Sequence, residues 1–327
     1  MEKNSSLPSD ILEIQGFEIS PEYIYPLFFL LLFVYSTLLF SNISVLILII
    51  KEKSLHQPMY FLFCNLSVND LIGNTVLLPQ LMAHVLSTKR FITYNQCLLQ
   101  AFHSHTFGSA SHMILVIMAI DRYVAICHPL RYSSIMTNKA VIGLSATAWG
   151  VSLLLVSVLL GLTGKLSRCR SVIQNAFCDN ASLFKLSCED VSINNIYGLF
   201  FTVLLFTCSI GGITATYIRI ALICWMRKNK EMNNRALQTC SSHLILYLIM
   251  LWSGFLTIIL HRFPDYPDLR KIAYILFHVV PANLNPIIYG LQTRSLRDKI
   301  IQILKRKIRS KTLATFFHSP VRFCVAL

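Results

Sequence analysis

The chain has 327 residues, 54% hydrophobic and only 13% charged, with a mean hydropathy of +0.58. Soluble domains carry about 25% charged residues, so a soluble globular protein of this size is excluded, as is disorder in a chain this apolar. The 29 Lys and Arg against 15 Asp and Glu give a net charge of +14, which would suit a nucleic-acid partner unless position along the chain explains it.

Residues 1–22 are acidic and carry the sequon Asn4-Ser5-Ser6, with no signal-peptide pattern, so the first apolar block is expected to direct insertion. Tyr23–Ile50 has no charged residue and holds Asn42, while Ser54–Thr88 is interrupted by Asp70 alone. Phe91–Ile120, Ala140–Gly164, Val191–Ile218, Ala236–Leu260 and Ile272–Thr293 are likewise uncharged. About 20 apolar residues in a helix cross a bilayer core of about 30 Å, and without water only helices and closed barrels satisfy their backbones there. The reading is an all-α membrane protein: a seven-transmembrane helix bundle. Beyond it, Leu296, Ile300, Ile303, Leu304 and Ile308 recur at helical spacing among basic residues, the pattern of a short amphipathic eighth helix drawn to the anionic lipid of the inner leaflet. The divisions are an extracellular 1–22, a bundle over 23–292, the amphipathic helix over 293–310 and a cytoplasmic tail over 311–327. No repeat appears.

Sorted by face, the charge explains itself. The N-terminal segment with the second, fourth and sixth loops sums to zero, and the other three loops with the tail sum to +15, Asp70 supplying the remaining −1. The positive-inside rule puts the N-terminus outside and the C-terminus in the cytoplasm of a multi-pass plasma-membrane protein, and leaves no need for nucleic acid. Cys97, Cys169, Cys178 and Cys188 fall on the oxidising face, where four cysteines allow three pairings. Cys64, Cys127, Cys208, Cys224 and Cys240 read as small apolar packing. Of the sequons, Asn42 and Asn65 lie in the membrane or at its inner edge and Asn180 is wedged among the loop cysteines, so Asn4 is the glycosylation candidate.

Four strings carry a resemblance: Met118-Ala119-Ile120-Asp121-Arg122-Tyr123-Val124-Ala125-Ile126-Cys127 at the end of the third span, Leu55-His56-Gln57-Pro58-Met59-Tyr60-Phe61-Leu62 opening the second, Arg235-Ala236-Leu237-Gln238-Thr239-Cys240-Ser241-Ser242-His243 opening the sixth, and Pro281-Ala282-Asn283-Leu284-Asn285-Pro286-Ile287-Ile288-Tyr289 closing the seventh. In this order the chain resembles the vertebrate odorant receptors, a branch of the rhodopsin-like G-protein-coupled receptors, over about residues 23–305. His261-Arg262-Phe263 resembles the fish-like, class I type.

The resemblance implies a receptor, not an enzyme, that binds small-molecule odorants outside, drives a heterotrimeric G protein of the stimulatory olfactory type to raise cAMP, and is expressed in olfactory sensory neurons. It implies the disulfides Cys97–Cys178 and Cys169–Cys188, fixing the loop Lys165–Ile193 as a lid. It assigns Asp121, Arg122, Tyr123, Tyr217, His243, Asn285, Pro286 and Tyr289 to the switch, with Arg122 held by Asp121 until activation and Tyr217 swinging toward it. Asp70, the one acid in any span, is a functional group by default; with Asn42, Ser111 and Asn285 it resembles the rhodopsin-like sodium site, although odorant receptors usually have Glu where Ser111 stands. No other cofactor is implied.

The resemblance implies a ligand pocket in the outer half of the bundle, among the third, fifth, sixth and seventh helices, where Ser104, His105, Gly108 and Ser109 share a helix face, with Gly108 expected to leave a void. Phe201, Thr202 and Ile258 complete an apolar wall; Arg262 suits either an anionic group on a ligand or an interfacial anchor paired with Asp265, and His278 is a further polar contact. Leu251-Trp252-Ser253-Gly254 departs from the Phe-Tyr-Gly usual in the family. The alternative is a rhodopsin-like receptor for another ligand such as a peptide or lipid. Retinal needs a lysine in the seventh span and amines an acid in the third, and both are missing. A transporter usually shows repeats and several mid-membrane charges, and an intramembrane hydrolase needs an acid to orient a Ser/His pair.

Overall fold

The computed structural model describes residues 10–227, 230–260, 263, 266–292, 297 and 302. Seven helices are long and apolar enough to cross a membrane: α1 (Pro21–Lys51), α2 (Pro58–Leu86), α3 (Tyr94–Cys127), α5 (Asn138–Gly164), α7 (Ser192–Arg227), α8 (Lys230–Leu260) and α9 (Pro267–Gln292). Two short helices lie between them, α4 (Tyr132–Ile135) and α6 (Asn180–Phe184). At 1.5 Å per residue, the 34 residues of α3 reach about 51 Å, well beyond an apolar core of about 30 Å.

The ends of these helices follow local chemistry. Pro21 opens α1 where its missing N–H costs nothing. Thr93 and Gln96 form a reciprocal capping box on α3, and the Thr137 side chain accepts from the Ala140 amide to cap α5. The uncharged runs mark the apolar middles, and several helices exceed them: α7 continues past Ile218 to Arg227, and α9 begins five residues before Ile272. One correction applies to the third span, since Phe91–Thr93 is not helical.

Those three residues form β2, which pairs antiparallel with β1 (Ile11–Ile14); β1 also pairs in parallel with β3 (Val172–Ile173). This small sheet roofs the outer face. Along β1 the side chains alternate, Leu12 and Ile14 buried and Glu13 exposed, which is the period-two pattern of a strand with one packed face. Leu12 and Ile14 join Ile92, Ile173, Cys97 and Cys178 in one apolar cluster. Just beyond, Gly16 has φ +67, and a Cβ there would fall 2.5 Å from Arg90 Nη1, so the close crossing of Arg90 requires glycine.

The spans sort by burial. In α3, 61% of the most apolar window is buried, against 22% in α1. α3 is thus the most buried of the seven spans and α1 the least.

Candidate functional site

The outer half of the bundle holds two adjoining cavities. The upper, of 230 Å³, lies under α6 and is lined by residues of α3, α5, α6, α7, α8 and α9. The lower, of 130 Å³, runs down α3 past Ser104, His105, Gly108, Ser109 and His112. Phe201, Thr202, Thr257, Ile258, Tyr274 and His105 line both. Seven of the nine ligand candidates, Ser104, His105, Gly108, Ser109, Phe201, Thr202 and Ile258, therefore meet around one space. Arg262 lies outside the described residues. His278 lines neither cavity: it is fully buried behind Tyr274, with Nε2 2.9 Å from Ser104 Oγ and its ring stacked on Phe107 at 4.7 Å.

The space beside Gly108 is bounded by a ring from another helix. A Cβ there would meet Phe277 Cζ at 3.3 Å, and one on Gly254 would meet Phe277 Cε2 at 3.4 Å, so the Phe277 ring lies between glycines of α3 and α8. The i+3 and i+4 positions after Ser109 and Gly108 place His112 on the same face, a signal that marks it as a lining residue; Thr257, Tyr274 and Phe277 carried no comparable signal.

The lid is held at several points. Cys97 is bonded to Cys178, and Cys169 to Cys188. The Cys178 amide donates to Gln100 Oε1 at 2.7 Å, and the Asn180 amide donates to His105 Nε2 at 3.2 Å. Phe177 stacks on Tyr274 with centroids 3.5 Å apart, and Tyr274 is hydrogen-bonded to Ser104. The Asn180 side chain accepts from Thr163 at 2.6 Å and is buried, so this sequon faces the bundle and not a glycosylation enzyme. Ser167, through its hydroxyl and its amide, holds the exposed Glu189 carboxyl below the ordinary carboxylate range. Asn4 lies outside the described residues.

Deeper in, Asn285 Nδ2 donates to Asp70 Oδ2 at 2.8 Å. Ser111 instead accepts from Asn69 at 2.8 Å, and Asn42 donates to the carbonyls of Leu38 and Ala282. Asp70 Oδ1, Asn42 Oδ1, Asn74 Oδ1 and Ser67 Oγ are buried without a hydrogen-bond partner among the described residues. Unpartnered hard oxygens of this kind suit a hard cation, so Asp70 and Asn42 fit a sodium ion. Ser111 is engaged elsewhere, and Asn74 is an oxygen that the sequence pattern did not single out.

At the end of the bundle away from the lid, Asp121 is fully buried. Its Oδ2 accepts from Arg122 Nε at 3.1 Å and its Oδ1 from the Tyr132 hydroxyl of α4 at 2.8 Å. Burial, then the charge of Asp121, pushes the Tyr132 hydroxyl above the ordinary phenol range, so it stays a donor. Tyr217 is bonded to His243 Nδ1 at 2.7 Å, tying α7 to α8. Tyr123 hydroxyl lies 3.4 Å from His128 Nε2. Pro286 lies within α9, one turn before Tyr289, whose ring packs on Phe63 at 4.8 Å. Cys127 and Cys240 pack together with Ile220, which closes the inner ends of α3, α7 and α8 on one another. The basic helix expected over 293–310 and the tail over 311–327 lie outside the described residues except Arg297 and Gln302.

This architecture is the seven-helix fold of rhodopsin: squid rhodopsin superposes with a TM-score of 0.71 over 90% of this chain and 89% of that one, at 20% identity. The olfactory receptor family model matches residues 31–307, and the chain belongs to that family. It is 33% identical to human olfactory receptor 52N4 over 274 residues, covering 83% of this chain and 85% of the relative, and 34% identical to human olfactory receptor 52N5 with the same coverage. It is accordingly a multi-pass membrane signalling receptor for odorants acting through G proteins, not an enzyme.

Proposed function

We propose that the odorant binds in the joined cavities between α3, α7, α8 and α9, and that binding raises cAMP through a stimulatory, olfactory-type G protein. The observation that carries this reading is the convergence of seven sequence-nominated side chains on one largely apolar space beneath a disulfide-tied lid. Such a space, with few polar groups, suits a small apolar ligand. The G protein docks at the opposite end, where Asp121 retains Arg122. Opening parts Tyr217 from His243, releases Arg122 and moves α9 about Asn285-Pro286, with Tyr123 and Tyr289 flanking the change. Ligand shifts this equilibrium only as far as it prefers the open form.

The +15 face supports an inward C-terminus and inner-leaflet lipid contact, with Asn4 outside and glycosylated, in the plasma membrane of olfactory sensory neurons. A sodium ion at Asp70, held with Asn42 and Asn285 but not with Ser111, which is engaged by Asn69, would stabilise the closed form; it supplies charge neutralisation and no chemistry. Arg262 would meet ligands bearing an anionic group. The test is a screen of volatile compounds against the surface-expressed receptor with a cAMP reporter. Odorant-dependent cAMP that disappears with Arg122→Ala supports the reading, and odorant responses unaltered by that change would remove Arg122 from the mechanism.

A further inference from the structure

The hydroxyls lining the lower cavity are engaged within the protein. Ser104 is bonded to Tyr274 and His278, Ser109 to the His105 and Thr106 carbonyls, Thr202 to Gly198 and Thr257 to Ser253. His112 differs. It is 1% exposed and is the deepest lining residue of α3; its ring stands edge-on to Phe206 at 5.2 Å and to Tyr247 at 6.0 Å. Its Nδ1 is buried with no hydrogen-bond partner among the described residues. Buried polar atoms are rarely left so, because an unmade bond there is costly.

Building on the odorant reading of this cavity, we propose that the His112 imidazole anchors the ligand and that the receptor selects compact apolar molecules ending in a hydroxyl group. The remaining wall at that depth is Leu205, Phe206, Gly254 and Phe277, which offers only van der Waals contact to the body of the ligand. A neutral imidazole has one donor and one acceptor nitrogen. A hydroxyl can donate to the ring in one tautomer and accept from it in the other, whereas a ketone or ether serves only one of the two. A hydrocarbon leaves the nitrogen unpaired, and a site with a buried unpaired polar group discriminates against such a ligand.

The anchor also sits where the ligand can signal. Tyr247, beside the His112 ring, donates to Ser209 at 3.1 Å and so joins α8 to α7. A hydroxyl drawn to the His112 ring comes to rest next to that tie.

The experiment uses the full chain at the cell surface with a cAMP reporter. Its probes are medium-chain primary alkanols with the ketones and hydrocarbons of matching length. The wild type is expected to answer alkanols at the lowest concentrations. His112→Phe, at equal surface density, should raise the alkanol concentration for half-response by about tenfold, the loss of one good hydrogen bond, and erase the preference over hydrocarbons; His112→Gln should restore part of it. The wild-type ranking needs no variant and tests the same claim. A wild type that prefers ketones or hydrocarbons, or an alkanol response untouched by His112→Phe, would overturn the anchor and leave the odorant reading standing. A receptor whose basal G-protein signal is intact but which answers no volatile compound would overturn both.

Discussion

Tyr132→Phe is the sharpest test of the cytoplasmic latch. The substitution removes one hydroxyl and nothing else, and it leaves Asp121 Oδ1, on a side chain with no solvent exposure, without the donor that stands 2.8 Å away. A hydrogen bond to a charged group contributes about 1.5–3 kcal/mol; the half-buried phenol argues for the lower end, about 1.5 kcal/mol. The bond exists in the closed arrangement, where Arg122 is also held by Asp121, so its loss falls on that state. About 1.4 kcal/mol is a factor of ten in an equilibrium, and a minor open state populated at roughly 1% would rise to roughly 10%. The assay is ligand-free cAMP accumulation normalised to receptor at the cell surface, with an expected rise of several-fold. Ligand-free cAMP equal to or below that of the wild type, at matched surface density, would refute the latch.

Gly73→Ala places a Cβ 2.6–2.8 Å from three atoms of the Phe107 side chain. That ring is stacked on His278 and edge-on to Phe277, so it has little room to turn, and overpacking should cost about 1–3 kcal/mol; an unchanged melting temperature of the detergent-purified receptor would show that the ring yields freely. The disulfides close loops of 81 and 19 residues, and loop-closure entropy makes the longer worth roughly 1 kcal/mol more; Cys97→Ser should therefore reduce surface expression more than Cys169→Ser, and the reverse order would contradict this. For Glu189, a carboxyl held below its ordinary range contributes above its unfolded pKa and loses that contribution as pH falls through the folded value. Hydrogen-exchange protection of the segment 165–190 should thus hold from neutral pH down to about pH 4, and loss of protection well above that would count against the Ser167 clasp.

Helices were legible because a span is a local statement: an uncharged run of sufficient length between charged ends needs no knowledge of its partners. The sheet was not, because β1 has only four residues and its register with Phe91–Thr93 and Val172–Ile173 joins segments some 80 and 160 residues away. Tyr132 was missed for a related reason. It lies in a four-residue helix that shows no periodicity, and its role appears only when the loop folds back under Asp121. The face of α3 that lines the cavity was readable from i, i+4 spacing, and extending the same spacing by one turn reaches His112.

Gly108 marks where a face-by-face reading stops. The sequence correctly registers a missing side chain on α3, but whether this leaves a cavity depends on which atom comes across from another helix. Phe277 comes across from α9, and it fits because α8 also presents a glycine, Gly254. The width of the lower cavity is therefore set by α9 and not by α3, through a contact that needs two glycines on separate helices. Eight residues further along α9, about 12 Å at 1.5 Å per residue, Asn285 donates to Asp70. The helix that sets the cavity width thus also carries the polar contact at the centre of the bundle, so a ligand bulky enough to displace the Phe277 ring acts on the element that holds Asp70, whereas one seated only at His112 bears on α7 and α8.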